Sequence, residues 1–146
     1  ELLHHLPATG DDGCHRAKTS AARVLPSRAM RDPEIGMQPV RDEHELERAF
    51  AEPWALVFKH STRCPVSTAA RREVAELRRR HPDAPVYVVH VVEQRPISNA
   101  LAARTGIRHE SPQAILLVHG RVSWSGSHEQ VTVEALESLL PAAAVR

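Results

Sequence analysis

One cysteine, Cys64, lies in the stretch KHSTRCPVSTAARREV, residues 59–74. The residues before it end a run of β-formers, and the residues after it follow a charged pattern with helical spacing. At the start of a helix, unpartnered backbone N–H groups and the positive end of the helix dipole favour a thiolate over a thiol. Because the thiolate attacks disulfides, the position predicts a nucleophile for thiol–disulfide exchange. The alternative is a cysteine packed as a small, inert apolar side chain.

A serine stands where a dithiol motif would carry its second cysteine, so the motif is Cys64-Pro65-Val66-Ser67. Thiol exchange gives a mixed disulfide that a second thiol must resolve, and this motif lacks a local one. We therefore expect a small external thiol or another protein to regenerate Cys64. Ser67 either hydrogen-bonds the thiolate or is a tolerated polar residue of the first helical turn. Cys14 is a distant alternative as resolving thiol, or as partner of Cys64 in a sensor disulfide.

Apolar periodicity predicts the elements that hold this thiol. The first elements are an edge strand at MQPV, a helix capped by Asp42, and a strand at WALVFKH that is buried on both faces. A helix from Pro65 to near His81, a strand at PVYVVHVVE and a helix at ISNALAARTG closed by Gly106 follow. The last elements are a hairpin at SPQAILLVHGRVSWSGS with a His-Gly turn and a helix at TVEALESLL capped by Thr132. We expect Ala69, Val74 and Leu77 to form the apolar stripe of the second helix.

This order, β-α-β-α-β-α-β-β-α, predicts an α/β protein with a mixed central sheet flanked by helices. It matches the thioredoxin-like fold, in which the reactive thiol follows a central strand and begins the next helix, as Cys64 does. That fold carries a cis-proline beside the thiol, and Pro112, just ahead of a predicted strand, is the candidate. A cis bond would leave the backbone of Ser111 available to an extended substrate, and a trans proline at a strand edge is the alternative.

Composition limits the function classes. The 146 residues are 42% hydrophobic with a formal net charge of +1, which favours one domain and gives no support for a nucleic-acid partner. No apolar stretch approaches the roughly 20 residues of a membrane span, and neither the two cysteines nor the ten scattered histidines have metal-ligand spacing. We expect residues 37–146 to form the domain and residues 1–36 to be a disordered or non-native extension. We expect a cytoplasmic monomer without a bound metal.

The stretches FKHSTRCPVS, VVEQRPISNALAARTGIRHESPQAILLVHGRVSW and SGSHEQVT together resemble the monothiol bacilliredoxins, over roughly Met37 to Leu140. The resemblance implies a thiol–disulfide oxidoreductase that removes bacillithiol from S-bacillithiolated client proteins through a mixed disulfide on Cys64. It also implies no bound cofactor and a low-molecular-weight thiol, bacillithiol, as co-substrate. The remaining alternatives are a redox-inactive thioredoxin-like binding module and a thiol-based redox sensor that uses Cys14.

Bacillithiol carries carboxylates, so cationic side chains near the two active-site segments are candidate anion contacts. The candidates are Lys59, Arg63, Arg108 and His109. The alternative for each is a solvated surface charge. His60, near the end of the predicted strand, either orients or electrostatically assists the thiolate, or faces solvent.

Overall fold

The computed structural model of this protein describes residues 36–142. The predicted extension, including Cys14, lies outside these residues except for Gly36. The elements, in order, are β1 (Gln38–Pro39), α1 (Glu43–Ala51), β2 (Trp54–His60), α2 (Pro65–Arg80), β3 (Val86–His90), α3 (Arg95–Thr105), β4 (Gln113–Val118), β5 (Arg121–Ser127) and α4 (Val133–Leu139), with a short 3₁₀ turn at His128–Gln130 before α4. This is the predicted order. None of the helices in this part of the chain is long and apolar enough to cross a membrane.

The five strands form one mixed sheet in the order β1-β3-β2-β4-β5. β3 pairs in parallel with β1 and β2, whereas β4 pairs antiparallel with β2 and β5. β2 therefore lies at the centre, and MQPV supplies the edge strand as expected. The sheet and its flanking helices confirm the predicted α/β, thioredoxin-like fold.

Both faces of the sheet are covered, which explains the continuous apolar run in β2. Alternate residues of β2 enter different cores, because successive side chains of a strand point to opposite faces. Leu56 and Phe58 pack in the core that includes residues of α2 and α4, whereas Ala55 and Val57 pack in the core that includes residues of α1 and α3. A polar residue near the end of β2 therefore lies in one of the two layers between the sheet and the helices that cover it.

The apolar stripe of α2 differs from the prediction at one position. Ala69 is exposed, so its assignment to the stripe was wrong, whereas Val74 and Leu77 are buried as expected. Extending the stripe back from Val74 by four and then three residues gives Ala70 and Ser67, which are the buried positions of the first turns. Ala69 lies about 100° around the helix from Ala70 and therefore faces solvent.

Local signals set the ends of several elements. The carboxylate of Asp42 accepts a hydrogen bond from the Glu45 amide (2.8 Å), as expected of an N-cap. Gly106 closes α3 in the left-handed conformation with φ 71°. His119 and Gly120 both have positive φ, 49° and 70°, which is the geometry of a two-residue hairpin turn between β4 and β5.

Candidate active site

Cys64 is the N-cap residue of α2, with extended backbone angles (φ −113°, ψ 119°). β2 ends at His60, a three-residue turn follows, and the Cys64 amide closes it with a hydrogen bond to the Ser61 carbonyl (3.4 Å). Pro65 then occupies the first helical position, where a missing N–H costs nothing. Cys64 is half-buried rather than enclosed, which disfavours the alternative of a thiol packed inertly in the core.

The electrostatic surroundings of Cys64 favour an anion. The first turn of α2 holds no acidic residue, and the thiol makes no capping hydrogen bond to it. The helix therefore acts on the sulfur through its dipole and its unpartnered first-turn N–H groups rather than through a direct bond. Arg63, the preceding residue, is exposed. A thiolate at this position faces positive partial charge from the helix and a cation beside it in the chain.

Ser67 is fully buried, and its hydroxyl is engaged by the end of β2 and the turn that follows. Its Oγ lies 2.8 Å from Nδ1 of His60 and accepts a hydrogen bond from the Ser61 amide at 2.9 Å. The structure therefore gives Ser67 a specific structural role that neither sequence interpretation anticipated. It joins the first turn of α2 to the strand that precedes Cys64.

His60 is buried, so the alternative in which it faces solvent was wrong. Its ring stacks on Phe58 and meets His90 edge-on, with ring centroids 5.8 Å apart in both pairs. Because β2 alternates between faces, His60 lies with Phe58 on the α2 side of the sheet. The contact between its Nδ1 and the Ser67 hydroxyl holds the ring there, so His60 helps to stabilise the turn that carries Cys64.

Pro112 begins the segment that faces the end of β2. The Ser111–Pro112 peptide bond is cis, as predicted from the fold, and Pro112 is buried. Lys59 pairs with Gln113 in the antiparallel register of β2 and β4, which places the loop before β4 at the same end of the sheet as Cys64. The amide of His128 donates to the Pro112 carbonyl (3.2 Å) and fixes the loop from its other side.

An open groove of about 480 Å³ runs along the first turns of α2 beside the thiol. Its lining contains two guanidinium groups and no carboxylate. The lining residues are Thr62, Arg63, Cys64, Pro65, Thr68, Ala69 and Arg72. Of the predicted anion contacts, only Arg63 belongs to it. Arg72 is not among those predicted contacts, although its spacing of eight residues from Cys64 places both on one side of a helix.

The other predicted anion contacts lie elsewhere. Arg108 and His109 are exposed in the loop before β4. Burial, and then the positive charges of Lys59 and Arg95, lower the pKa of His109, whose Nδ1 lies 3.2 Å from the Ser98 hydroxyl. The lowered pKa favours the neutral form of His109, which offers a hydrogen bond rather than a charge.

Lys59 has no exposed surface and does not present its ammonium group to a ligand in solvent. Its position follows from the alternation of β2, which directs it into the layer between the sheet and α1 and α3. Burial lowers the pKa of Lys59 to about 8. This burial was not expected, because lysine is almost never fully buried unless it is paired.

The turn before Cys64 is anchored by a contact that sequence analysis missed. The Thr62 hydroxyl donates to Oε1 of Glu93 (3.0 Å), which lies in the connection between β3 and α3. A hydrogen bond from its own amide, and then the one from Thr62, lower the pKa of Glu93. Such a bond depends on tertiary structure across 31 residues, so local spacing could not reveal it. Among residues 36–142, no group of three or more His, Cys, Asp or Glu side chains is arranged to hold a metal ion.

The fold and the site together define a thioredoxin-fold protein with a single-cysteine motif. Among solved structures, one provisionally described as an oxidoreductase with a thioredoxin fold is 26% identical, with a TM-score of 0.68 over 73% of this chain and 95% of that one. Mitochondrial thioredoxin 3 from Saccharomyces cerevisiae is 14% identical, with a TM-score of 0.60 over 73% of this chain and 95% of that one. A thioredoxin mutant from Halobacterium salinarum is 22% identical, with a TM-score of 0.60 over 75% and 90%. The last two show the fold alone.

The family model described as monothiol bacilliredoxin BrxC matches residues 38–136. The chain belongs to the monothiol bacilliredoxin family, which confirms the resemblance found in the sequence. Family and fold support a thiol redox function, and they agree with the placement of Cys64 at the start of a helix.

Proposed function

We propose that this protein is a monothiol thiol–disulfide oxidoreductase that removes bacillithiol from S-bacillithiolated proteins. One observation carries the proposal: Cys64 is the only free cysteine of residues 36–142, it is accessible at the start of α2, and the fourth motif position is a buried serine held by His60 and Ser61. Such a site can accept a thiol group but cannot form a disulfide within its own motif.

The reaction begins when the Cys64 thiolate attacks the bacillithiol sulfur of a client–bacillithiol disulfide. The client S–S bond breaks, the client cysteine leaves as a thiolate, and a Cys64–bacillithiol disulfide forms. A second bacillithiol thiolate then attacks the bacillithiol sulfur of this mixed disulfide and releases Cys64 as a thiolate. The client cysteine is reduced, and the second bacillithiol is oxidised as it joins the first, which was already part of a disulfide, in bacillithiol disulfide. The helix dipole and the absence of acidic residues in the first turn favour the departure of Cys64 as an anion.

The groove beside Cys64 supports an anionic thiol as the co-substrate. Its volume of about 480 Å³ suits a small molecule, and Arg63 and Arg72 both line it. The bacillithiol carboxylates can pair with these guanidinium groups while its sulfur lies at Cys64. Arg108, exposed in the loop before β4, is a further contact in this proposal, whereas the buried Lys59 is not.

The substrate-facing side is completed by Ser111, whose backbone we propose to pair with an extended client segment next to the mixed disulfide. The client proteins and the low-molecular-weight thiol are the partners in this proposal. We place the reaction in the cytoplasm, with the protein acting as a monomer and without a bound cofactor.

The test is a time course of bacillithiol release from an S-bacillithiolated client protein in the presence of free bacillithiol. The wild-type chain should restore the client thiol, and Cys64→Ser should abolish the reaction. Cys14→Ser should leave it intact, because the cycle uses no second protein thiol. Turnover by Cys64→Ser, or its loss in Cys14→Ser, would contradict the proposed monothiol cycle.

A further inference from the structure

At one end of β2 and β4, three buried polar atoms have no hydrogen-bond partner among residues 36–142. They are Nζ of Lys59, Oγ of Ser111 and Oε1 of Gln113. Lys59 and Gln113 are direct partners in the antiparallel register, so their side chains leave the same face of the sheet. Ser111 precedes Gln113 by two residues in the loop that carries the cis peptide bond. A buried polar group without a partner is costly, so three together indicate a shared partner.

The orientation of the Gln113 amide determines what that partner must be. Its Nε2 donates to the carbonyl of Arg108 (3.0 Å), and because a carbonyl only accepts, the amide cannot be turned around. Oε1 is therefore the atom left without a partner, and it needs a donor. Lys59 has no exposed surface, and its ammonium group needs an acceptor.

In the part of the chain that the structure describes, no carboxylate pairs with Lys59. On the side of α3 and the loop before β4, Lys59 and Arg95 both act as positive charges on His109, and only Glu110 opposes them there. Ser98 on α3 is buried but already contacts Nδ1 of His109. The ammonium group of Lys59 is thus buried without a direct partner among residues 36–142.

We propose that Lys59, Ser111 and Gln113 bind one internal water molecule, which makes Lys59 a positioning residue for the loop before β4. A water accepts from the ammonium group and donates to Oε1 of Gln113, with a further bond to the Ser111 hydroxyl. Buried waters typically make about three hydrogen bonds, which matches the three atoms. A simple anion accepts but cannot donate to Oε1, and a metal cation would be repelled by Lys59.

The water connects β2, which leads into the Cys64 turn, to the loop that contains Ser111. Lys59 then acts on substrate binding through the position of Ser111 rather than by touching the substrate. This kinetic consequence rests on the proposed function, whereas the water site itself does not. Loss of Lys59 should therefore weaken client binding without altering the reactivity of the Cys64 thiol.

The site is tested first by NMR on the labelled full-length wild-type chain. We expect nuclear Overhauser effects between a long-lived water and the ε-protons of Lys59, and no response of these signals to added chloride. Absence of the water contact would overturn the proposal, and so would a chloride-dependent shift, which would indicate an anion in its place. These measurements need neither bacillithiol nor a client protein, so they stand even if the proposed reaction fails.

The coupling is tested with Lys59→Met, Gln113→Leu and the double variant. If Lys59 and Gln113 share a water, the double variant should change the unfolding equilibrium constant by a factor that differs about tenfold from the product of the two single effects. Lys59→Met should also raise KM for the S-bacillithiolated client several-fold, with the rate of Cys64 alkylation by iodoacetamide unchanged. Additive effects on unfolding, or a fall in alkylation rate equal to the loss of turnover, would contradict the positioning role.

Discussion

Oγ of Ser67 lies 2.8 Å from Nδ1 of His60, and both side chains are buried beneath the turn that carries Cys64. The same oxygen accepts the Ser61 amide proton at 2.9 Å. One hydroxyl thus joins the first turn of α2 to the last residue of β2. In this monothiol motif, the residue at the position of a second cysteine instead holds the turn that carries Cys64.

Ser67→Ala should destabilise the protein, because it leaves the Ser61 amide and the His60 ring nitrogen without their buried partner. We expect a loss of about 1–3 kcal/mol in the free energy of unfolding, measured by urea denaturation. Ser123→Ala, at an exposed position of β5, is the matched control and should have little effect. Equal stabilities of the two variants would show that the Ser67 hydroxyl does not hold the turn.

Ser67→Cys should convert the monothiol site into a dithiol site. The N-cap and third residues of a helix are close enough for a disulfide, so Cys at position 67 can attack Sγ of Cys64 and expel bound bacillithiol. After exposure to oxidised bacillithiol, intact mass should show a chain lighter by two hydrogen atoms rather than a stable adduct. The combination with Cys14→Ser excludes disulfides to the other cysteine. A stable adduct on this combined variant would mean that the two positions cannot approach.

Arg63→Gln and Arg72→Gln together should weaken turnover with bacillithiol more than turnover with an uncharged thiol such as 2-mercaptoethanol. Loss of charge-assisted hydrogen bonds should lower kcat/KM for bacillithiol by about tenfold or more. Arg108→Gln tests the loop before β4 in the same way. Arg121→Gln removes the same charge at the opposite end of the sheet and is the control. Equal losses with both thiols would rule out recognition of the carboxylates in this groove.

The stability of the protein should depend on the ionisation of Lys59. In the folded state the pKa of Lys59 is about 8, whereas an unfolded lysine has a pKa of about 10.4. Between these values the unfolded chain binds the extra proton, so folding stability rises with pH, and below pH 8 this contribution is constant. Relative to Lys59→Met, the wild type should gain about 2–3 kcal/mol between pH 7 and pH 10 in denaturant titrations. A constant difference would mean that Lys59 titrates as an exposed amine.

Much of the fold was predictable because its signals are local. The apolar run of β2, the His119–Gly120 turn and the proline after Cys64 each specify an element or its boundary without reference to distant residues. The place of Cys64 at a helix start follows directly from them. The cis bond before Pro112 could be predicted only through the fold, because sequence alone does not select one proline.

The remaining features depend on tertiary contacts. Lys59 is a charged residue whose burial follows from the strand alternation and from what covers that face. The hydroxyl of Ser67 and the Thr62–Glu93 bond gain their roles from partners that only the folded chain brings near. Ala69 is a different case, because helical spacing back from Val74 already favours its neighbour Ala70, and only the composition of the two positions is the same.

The proposed reaction is tested most directly by the intact mass of the wild-type chain after incubation with oxidised bacillithiol. We predict a single bacillithiol adduct that peptide mapping places on Cys64, that free bacillithiol removes, and that Cys64→Ser does not form. An adduct confined to Cys14, or a wild-type chain that stays unmodified, would contradict Cys64 as the nucleophile.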